Sequence, residues 1–483
     1  MNHLATVAEH PALDILAAQV RHDLECLDYP ARAWVRPRQH ASASHVFDVA
    51  IVGAGQSGLA TAFGLLRERI DNIVVLDENP EGLEGPWLTY ARMATLRTPK
   101  HITSIDGGVP SLTFRVWWEA QHGAAGWEAL GKIPRQEWMR YLRWYRRTLA
   151  LPVRNDTRVS LIEPVEAGLF RLHLEAAGAP EPGALLARKV VLATGIQGGG
   201  EWHTPDFIRA ALPRARYAHT SEAIDYSAMQ GRRIGILGGG ASAFDNAQFA
   251  LGAGVGEAHV FMRRAEMPRV NPIRFMENAG FLGHFADLDD AVKYRAIDHF
   301  LRQNQPPTND MFSRAAGYPG FHLHLGAPWT AVAETRAGVR VETPQGAHEF
   351  DFVVLSTGML TDARLRPELA LVAEHIACWR DRFAPADGKR NALLDDHPYL
   401  GPNFGFVARS DAGVDKLHGL FAFNYAALAS LGLSASALSG LKFALPKLVQ
   451  GIAGQLFTDD AAATMRDYMA YAEQEFIGQW PAA

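Results

Sequence analysis

Val46 to Val52 (VFDVAIV) is a short, mostly apolar, β-branched run that stops at glycine, the pattern of a strand buried in a parallel sheet. Ser57 to Glu68 follows with small and apolar residues suited to a helix, and Asn72 to Leu76 (NIVVL) reads as a second buried strand. This strand–turn–helix–strand unit builds doubly wound sheets. It recurs later as the strand Arg233 to Leu237 (RIGIL), a turn over Gly238 to Gly240, a helix over Ala243 to Leu251 and a strand over Ala258 to Met262 (AHVFM). Two such units predict two nucleotide-binding domains of α/β class. Between them, Val159 to Val191 alternates in strand fashion and is broken by Gly and Pro, as in a β-meander; Val353 to Leu355 is a further buried strand. Ahead of the first unit, Pro11 to Cys26 predicts an amphipathic helix ended by Tyr29-Pro30 and Pro37, with Ala41 to Ser44 as a linker.

Composition narrows the function classes. The 483 residues are 48% hydrophobic and 20% charged, too apolar for a disordered chain. With 47 basic against 52 acidic residues the net charge is -5, so a nucleic-acid partner is not expected. Cys26 and Cys378 are the only cysteines, which excludes a disulfide framework, a cysteine-rich metal site and a redox CxxC pair. That removes the chemistry of a disulfide reductase and fits a reducing, cytoplasmic setting. Met1 to Val20 lacks the basic start of a secretory signal. Phe421 to Leu441 carries no formal charge over 21 residues, but its four serines, two glycines and Asn424 predict a packed helix of small residues and no integral membrane segment.

The turns carry the chemistry. Gly53-Ala54-Gly55-Gln56-Ser57-Gly58 is a GxGxxG sequence between strand and helix. Gly53 permits the tight turn, Gly55 lets the backbone approach a pyrophosphate, and Gly58 allows close helix–strand packing. The phosphates would rest on the helix N-terminus, where unpaired N–H groups and the dipole favour negative charge. Asp77 ends the next strand, placed to accept hydrogen bonds from a ribose diol, with Glu78 beside it as the alternative. The second fingerprint, Gly238-Gly239-Gly240-Ala241-Ser242-Ala243, ends in alanine, which the pattern tolerates. Its following strand leads to Arg263 and Arg264 in place of a carboxylate. Guanidinium groups bind the 2′-phosphate that a carboxylate would repel, so NADPH is expected over NADH.

Together these motifs resemble the class B flavin-dependent monooxygenases, which comprise flavin-containing monooxygenases, N-hydroxylases and Baeyer–Villiger enzymes. Gly85-Pro86-Trp87 is similar to that family's Gly-Gly-x-Trp segment, and Ala193-Thr194-Gly195 and Ser356-Thr357-Gly358 resemble its paired crossings between domains. Gly238 to Asp245 (GGGASAFD) resembles its Gly-x-Gly-x-Ser-x-x-Asp. The resemblance implies an FAD domain over 46–200 and 351–483, an NADPH domain over 201–350 inserted in it, and a preamble over 1–45. It also implies that NADPH reduces FAD and that reduced flavin and O2 form a C4a-hydroperoxyflavin, which oxygenates a small organic substrate. N- or S-oxygenation is favoured. Carbonyl oxygenation of Baeyer–Villiger or indole-pyruvate type is the alternative, and a flavin-binding sensor without turnover is the non-enzyme reading. A homodimer is compatible with all three.

The family's linker signature survives only at His219, since Pro213, Ala215 and Ala223 occupy its other places. This departs from the Baeyer–Villiger branch, while Leu96-Arg97-Thr98-Pro99-Lys100 is closer to the flavin-containing and auxin-forming branches. Trp87, Thr98 and Lys100 are expected around the flavin ring, Thr194, Gly195, Thr357 and Gly358 at the crossings, and Asn424 as the cap of a helix aimed at the flavin pyrimidine. Trp117 and Trp118 read as core or pocket wall and not as catalytic residues. His322 and His324 share one face of a predicted strand, but no third ligand is evident, so no metal is expected.

Overall fold

Two sheets, one mixed and one parallel, each with parallel strands built on one of the glycine turns, open the carboxyl ends of those strands on a shared cleft. The computed structural model describes residues 10–27, 32–176, 178, 183–303, 305–435 and 437–480. Tyr29-Pro30, the expected helix stop, lies outside them. In the first sheet Val46–Val52 pairs in parallel with Ile73–Leu76 on one side and Gly183–Leu192 on the other. Val153–Arg154 extends the Ile73 edge, and Leu420–Ala422 pairs in parallel with the end of Gly183–Leu192. The start of that long strand instead pairs antiparallel with Leu169–Ala176, which pairs with Thr157–Glu166; this is the expected meander.

The second sheet runs Phe321–His324, Glu257–Phe261, Arg233–Leu237, Phe352–Leu355, Tyr217–His219, all parallel. A three-stranded antiparallel sheet (Ala331–Glu334, Val339–Thr343, Gly346–Phe350) packs on one face through Val339, Val341 and Phe350. Phe352–Leu355 belongs to the second sheet, and a turn follows it. There Met359–Thr361 pairs antiparallel with Gly200–Trp202, so the two crossings between lobes form one ribbon. Its closeness depends on Gly200, where an added Cβ would lie 1.9 Å from the Leu360 carbonyl oxygen.

The preamble helix Ala12–Leu27 buries Leu13, Leu16 and Val20 in the core of the first lobe, and Asp23 accepts a 2.6 Å hydrogen bond from the Ser111 hydroxyl. None of its residues lines the cleft. Phe421 to Leu441 is not one helix. It divides into the strand Leu420–Ala422, a turn at Tyr425–Ala427, a single helical turn Leu428–Leu431 and the start of Leu438–Asp459. Gly432, at φ +70, makes the break. Among the described residues no helix is long and apolar enough to cross a membrane.

Charge also enters the first lobe's interior. Lys189, fully buried, donates to Asp459 at 2.7 Å, and Arg188 reaches Asp460 at 2.9 Å and Asp48 at 3.6 Å. These pairs bind the end of the Leu438–Asp459 helix to the sheet. Burial pushes Asp48 up to about 6 despite Arg188.

Candidate active site

The cleft encloses about 1710 Å³. That exceeds the ~300–1,000 Å³ of a single small-molecule site and leaves room for two dinucleotides and a substrate. On the first lobe's side it is lined by Gly53, Gly55, Gln56, Ser57, Asp77, Glu78, Trp87, Thr98, Thr194 and Gly195. On the second lobe's side the lining includes His219, Gly238, Gly240, Ser242, Arg263, Arg264, Thr357 and Gly358.

Each glycine turn has the form the chemistry requires. Gly53 at φ +101 turns the chain where a Cβ would meet the Ala193 carbonyl oxygen at 2.6 Å. At Gly58 a Cβ would lie 1.8 Å from the Gly53 oxygen, so the helix Gln56–Arg67 lies directly on the turn. Gly55 differs: a Cβ there would meet only Gly85 Cα, at 3.8 Å, so its free space faces the cleft. The helices Gln56–Arg67 and Ala241–Gly252 both start after a glycine, with no side chain capping their first N–H groups. In the second helix the Ala243 N–H is taken by the Gly240 carbonyl at 3.0 Å; the N–H groups ahead of it face no capping side chain and suit phosphate oxygens. Ala243 is fully buried in the second lobe's core, filling the place of the third glycine beneath the turn.

Several expected side chains are otherwise engaged. Asp77 accepts from the Ala54 N–H at 2.7 Å through one oxygen and from the Asn79 N–H and side chain through the other, so it braces the turn. Glu78 is half exposed, approached among the described residues by Arg158 at 3.9 Å, and is the freer carboxylate. Lys100 is not part of the cleft lining; it donates to the Trp127 carbonyl at 2.5 Å and lies over that ring. Asn424 is also outside the lining. It is buried, donates to the Thr194 hydroxyl and the Gly198 carbonyl, and caps only the short turn at Tyr425–Ala427. The following residue, Tyr425, reaches the cleft instead. Arg264 is held by the Arg302 and Gln303 carbonyls, whereas Arg263 is exposed with no partner among the described residues.

Trp87 stands edge-on to Trp138, its Nε1 buried and unpaired at the cleft wall. Trp138 donates to Gln56 at 3.1 Å and holds the first turn from behind. Trp117 is buried and, like Trp118, outside the lining. His219 stacks on Trp202 at 5.0 Å, and burial pushes it down to about 4, so the ring is neutral at physiological pH.

Two arginines of the site carried no role in the sequence reading. Arg97 pairs with Asp245 at 2.7 Å, joining the Leu96–Lys100 segment to the second fingerprint across the cleft. Arg92 is buried over Tyr226 and Phe249 and donates to the Glu222 and Ile224 carbonyls, again from first lobe to second. The motif resemblance at both ends of the Arg97–Asp245 pair was the available signal. The pairing itself lies 148 residues apart in sequence.

Comparisons with known proteins agree with this geometry. Residues 50–197 match an FAD-NAD(P)-binding family model, and residues 128–304 match the model for L-lysine 6-monooxygenase/L-ornithine 5-monooxygenase. Over 463 residues the chain is 61% identical to the FAD-dependent urate hydroxylase of Xanthomonas campestris pv. campestris, covering 96% of this chain and 97% of that protein. The chain belongs to the FAD-dependent monooxygenase family.

Solved members of the wider fold group resemble it in shape. The ornithine hydroxylase PvdA of Pseudomonas aeruginosa superposes with a TM-score of 0.68 at 18% identity, covering 85% of this chain and all (100%) of that one. L-lysine 6-monooxygenase of Pseudomonas syringae gives 0.62 at 20% identity, over 85% and 99% of the chains. This monooxygenase thus has the two-lobed FAD and NAD(P) fold, the second lobe inserted in the first, and uses both cofactors. The sensor reading gives way to an enzyme.

Proposed function

We propose that this monooxygenase hydroxylates urate, consuming one reduced nicotinamide dinucleotide, one proton and one O2, placing one oxygen atom in urate and the other in water, and returning the oxidised dinucleotide. The observation that carries this reading is the 61% identity, over nearly the whole length, to a protein named for urate hydroxylation. The cleft supports it. Urate is a planar anion at neutral pH, and arginines outnumber carboxylates among the lining residues.

In this reading the first turn, through Gly53, Gly55, Gln56, Ser57 and Gly58, holds the FAD pyrophosphate on the helix N-terminus. Glu78 takes the ribose while Asp77 keeps the turn rigid. Trp87, Thr98, Thr194 and Gly195 surround the flavin ring. The second turn, through Gly238, Gly240 and Ser242, holds the nicotinamide dinucleotide, and Arg263 reads the 2′-phosphate that distinguishes NADPH. His219, Thr357 and Gly358 close the junction between the two ligands. Bound FAD supplies the redox chemistry, accepting a hydride and activating O2. The protein supplies position, a dry wall at Trp87 and the neutral His219, and the Arg97–Asp245 brace that keeps the lobes in register. Two unpaired cysteines and a demand for NADPH suit a cytoplasmic enzyme.

The test is NADPH oxidation by the FAD-loaded enzyme with urate, ornithine, lysine and cadaverine, with peroxide followed alongside. Urate is expected to stimulate consumption without matching peroxide release. Stimulation by a diamine or amino acid with none by urate would replace this reading by N-hydroxylation.

A further inference from the structure

The second lobe gathers four histidines on one face of its sheet. Register places His259 beside His322 and Phe261 beside His324, and the strand Gly346–Phe350 lays His348 against the same face. We propose that His259, His324 and His348 form a site for one divalent transition-metal ion of the zinc class, with Glu257 fixing the ring of His259.

The ligand nitrogens of the three histidines lie within 4.8 Å of one another, and His259 Nδ1 is 3.0 Å from His324 Nε2. Nitrogens bound at ~2.0–2.1 Å around a tetrahedral ion sit roughly 3.3 Å apart, so the His259–His324 pair is already at that spacing and the wider separations would close by at most about 1.5 Å. Glu257 faces His259 Nε2 at 2.9 Å. A proton held there leaves the Nδ1 lone pair turned towards His324, the carboxylate–histidine arrangement that orients metal ligands. The same carboxylate binds Arg233 at 2.8 Å, which neutralises the nearby cation. Burial lowers His259, His324 and His348 alike, which favours the neutral form of each ring. Three imidazoles suit zinc, nickel, copper or cobalt better than magnesium or calcium.

The bland alternative is a histidine pair sharing a proton. A second grouping, Glu257, His259 and His322, lies at the exposed edge and would use His259 in competition. The inner group is preferred because His348 comes from a separate strand and would clip the small sheet to the strand leading into Arg263. Phe261 stacks on His324 at 4.4 Å and lines the cleft, so the ion would stiffen the cleft wall from behind.

Untagged, FAD-loaded full-length enzyme should be titrated with zinc by calorimetry, and its metal content measured after desalting. One equivalent at micromolar or tighter affinity is expected. H324Q and H348N should each abolish the tight site, E257Q should weaken it about 10- to 100-fold, and H322N should leave it unchanged. FAD content and circular dichroism verify folding, and bound zinc should protect wild-type His348 from diethylpyrocarbonate. No stoichiometric uptake, uptake insensitive to H348N, or loss with H322N alone would overturn the assignment.

Discussion

Gly55 and Gly58 differ by three positions, yet alanine or valine should affect them in opposite ways. At Gly58 a Cβ would lie 1.8 Å from the Gly53 oxygen and 2.9 Å from its carbonyl carbon. Both obstacles are backbone, so the helix Gln56–Arg67 would have to lift from the strand it covers. Overpacking of this kind costs about 1–3 kcal/mol even where side chains can adjust, and G58A should reach or pass the top of that range. Gly55 has φ -67 and ψ -176, open to any residue, and the nearest atom to its Cβ would be 3.8 Å away. G55V should therefore stay within about 1 kcal/mol of wild-type stability. Its side chain, however, fills the space needed by the pyrophosphate, and FAD affinity should fall at least about 100-fold, or ~2.8 kcal/mol. Urea unfolding followed by tryptophan fluorescence reads the first quantity, and titration of apoprotein with FAD reads the second. A G55V protein that purifies yellow with full occupancy would refute the placement of the pyrophosphate. A G58A protein of unchanged stability would refute the packing argument.

Asp245 is only 4% exposed but Arg97 keeps 24% of its side-chain surface and both line the cleft, so D245A loses a charged hydrogen bond and should cost about 1–3 kcal/mol. The R97M/D245L double variant should recover much of this, and strictly additive singles in a urea-unfolding cycle would contradict a coupled pair. R263A should raise the KM for NADPH about 10- to 100-fold, the loss of a charged hydrogen bond, and leave NADH unaffected; equal changes would sink the phosphate-reading role. His219 and His397 are buried and pushed down to about 4, below their unfolded value. The unfolded chain therefore takes their protons first as pH falls. Stability should be full above about 6.5 and decline towards pH 4, by up to about 3 kcal/mol for each group. Asp48, raised to about 6, opposes the fall below that pH, so D48N should steepen it. A flat urea midpoint between pH 7 and 4.5 in both proteins would contradict the burial of the neutral rings.

Local pattern carried the sequence reading furthest where local geometry decides the outcome. Apolar β-branched runs ending in Gly53 and Gly238 can hardly form anything but buried strands meeting tight turns, and the structure places both turns on one cleft. The meander was legible for the same reason, through alternation and its glycine breaks. What depends on partners distant in sequence was not. Lys100 looks free until Trp127 is seen to hold it, and Asn424 looks like a cap aimed at a ligand until Thr194 and Gly198 take its amide. Nothing in the run from Phe421 to Leu441 marks Gly432 as the residue that takes positive φ. His322 and His324 were visible as a pair, but His259 and His348 join them only through strand register and sheet packing.

The most direct measurement is the fate of isotopic oxygen when FAD-loaded enzyme turns over urate and NADPH under ¹⁸O2. One labelled atom in each molecule of oxidised urate, with the other in water, is the predicted result. Label recovered only as hydrogen peroxide, with urate unchanged, would contradict it.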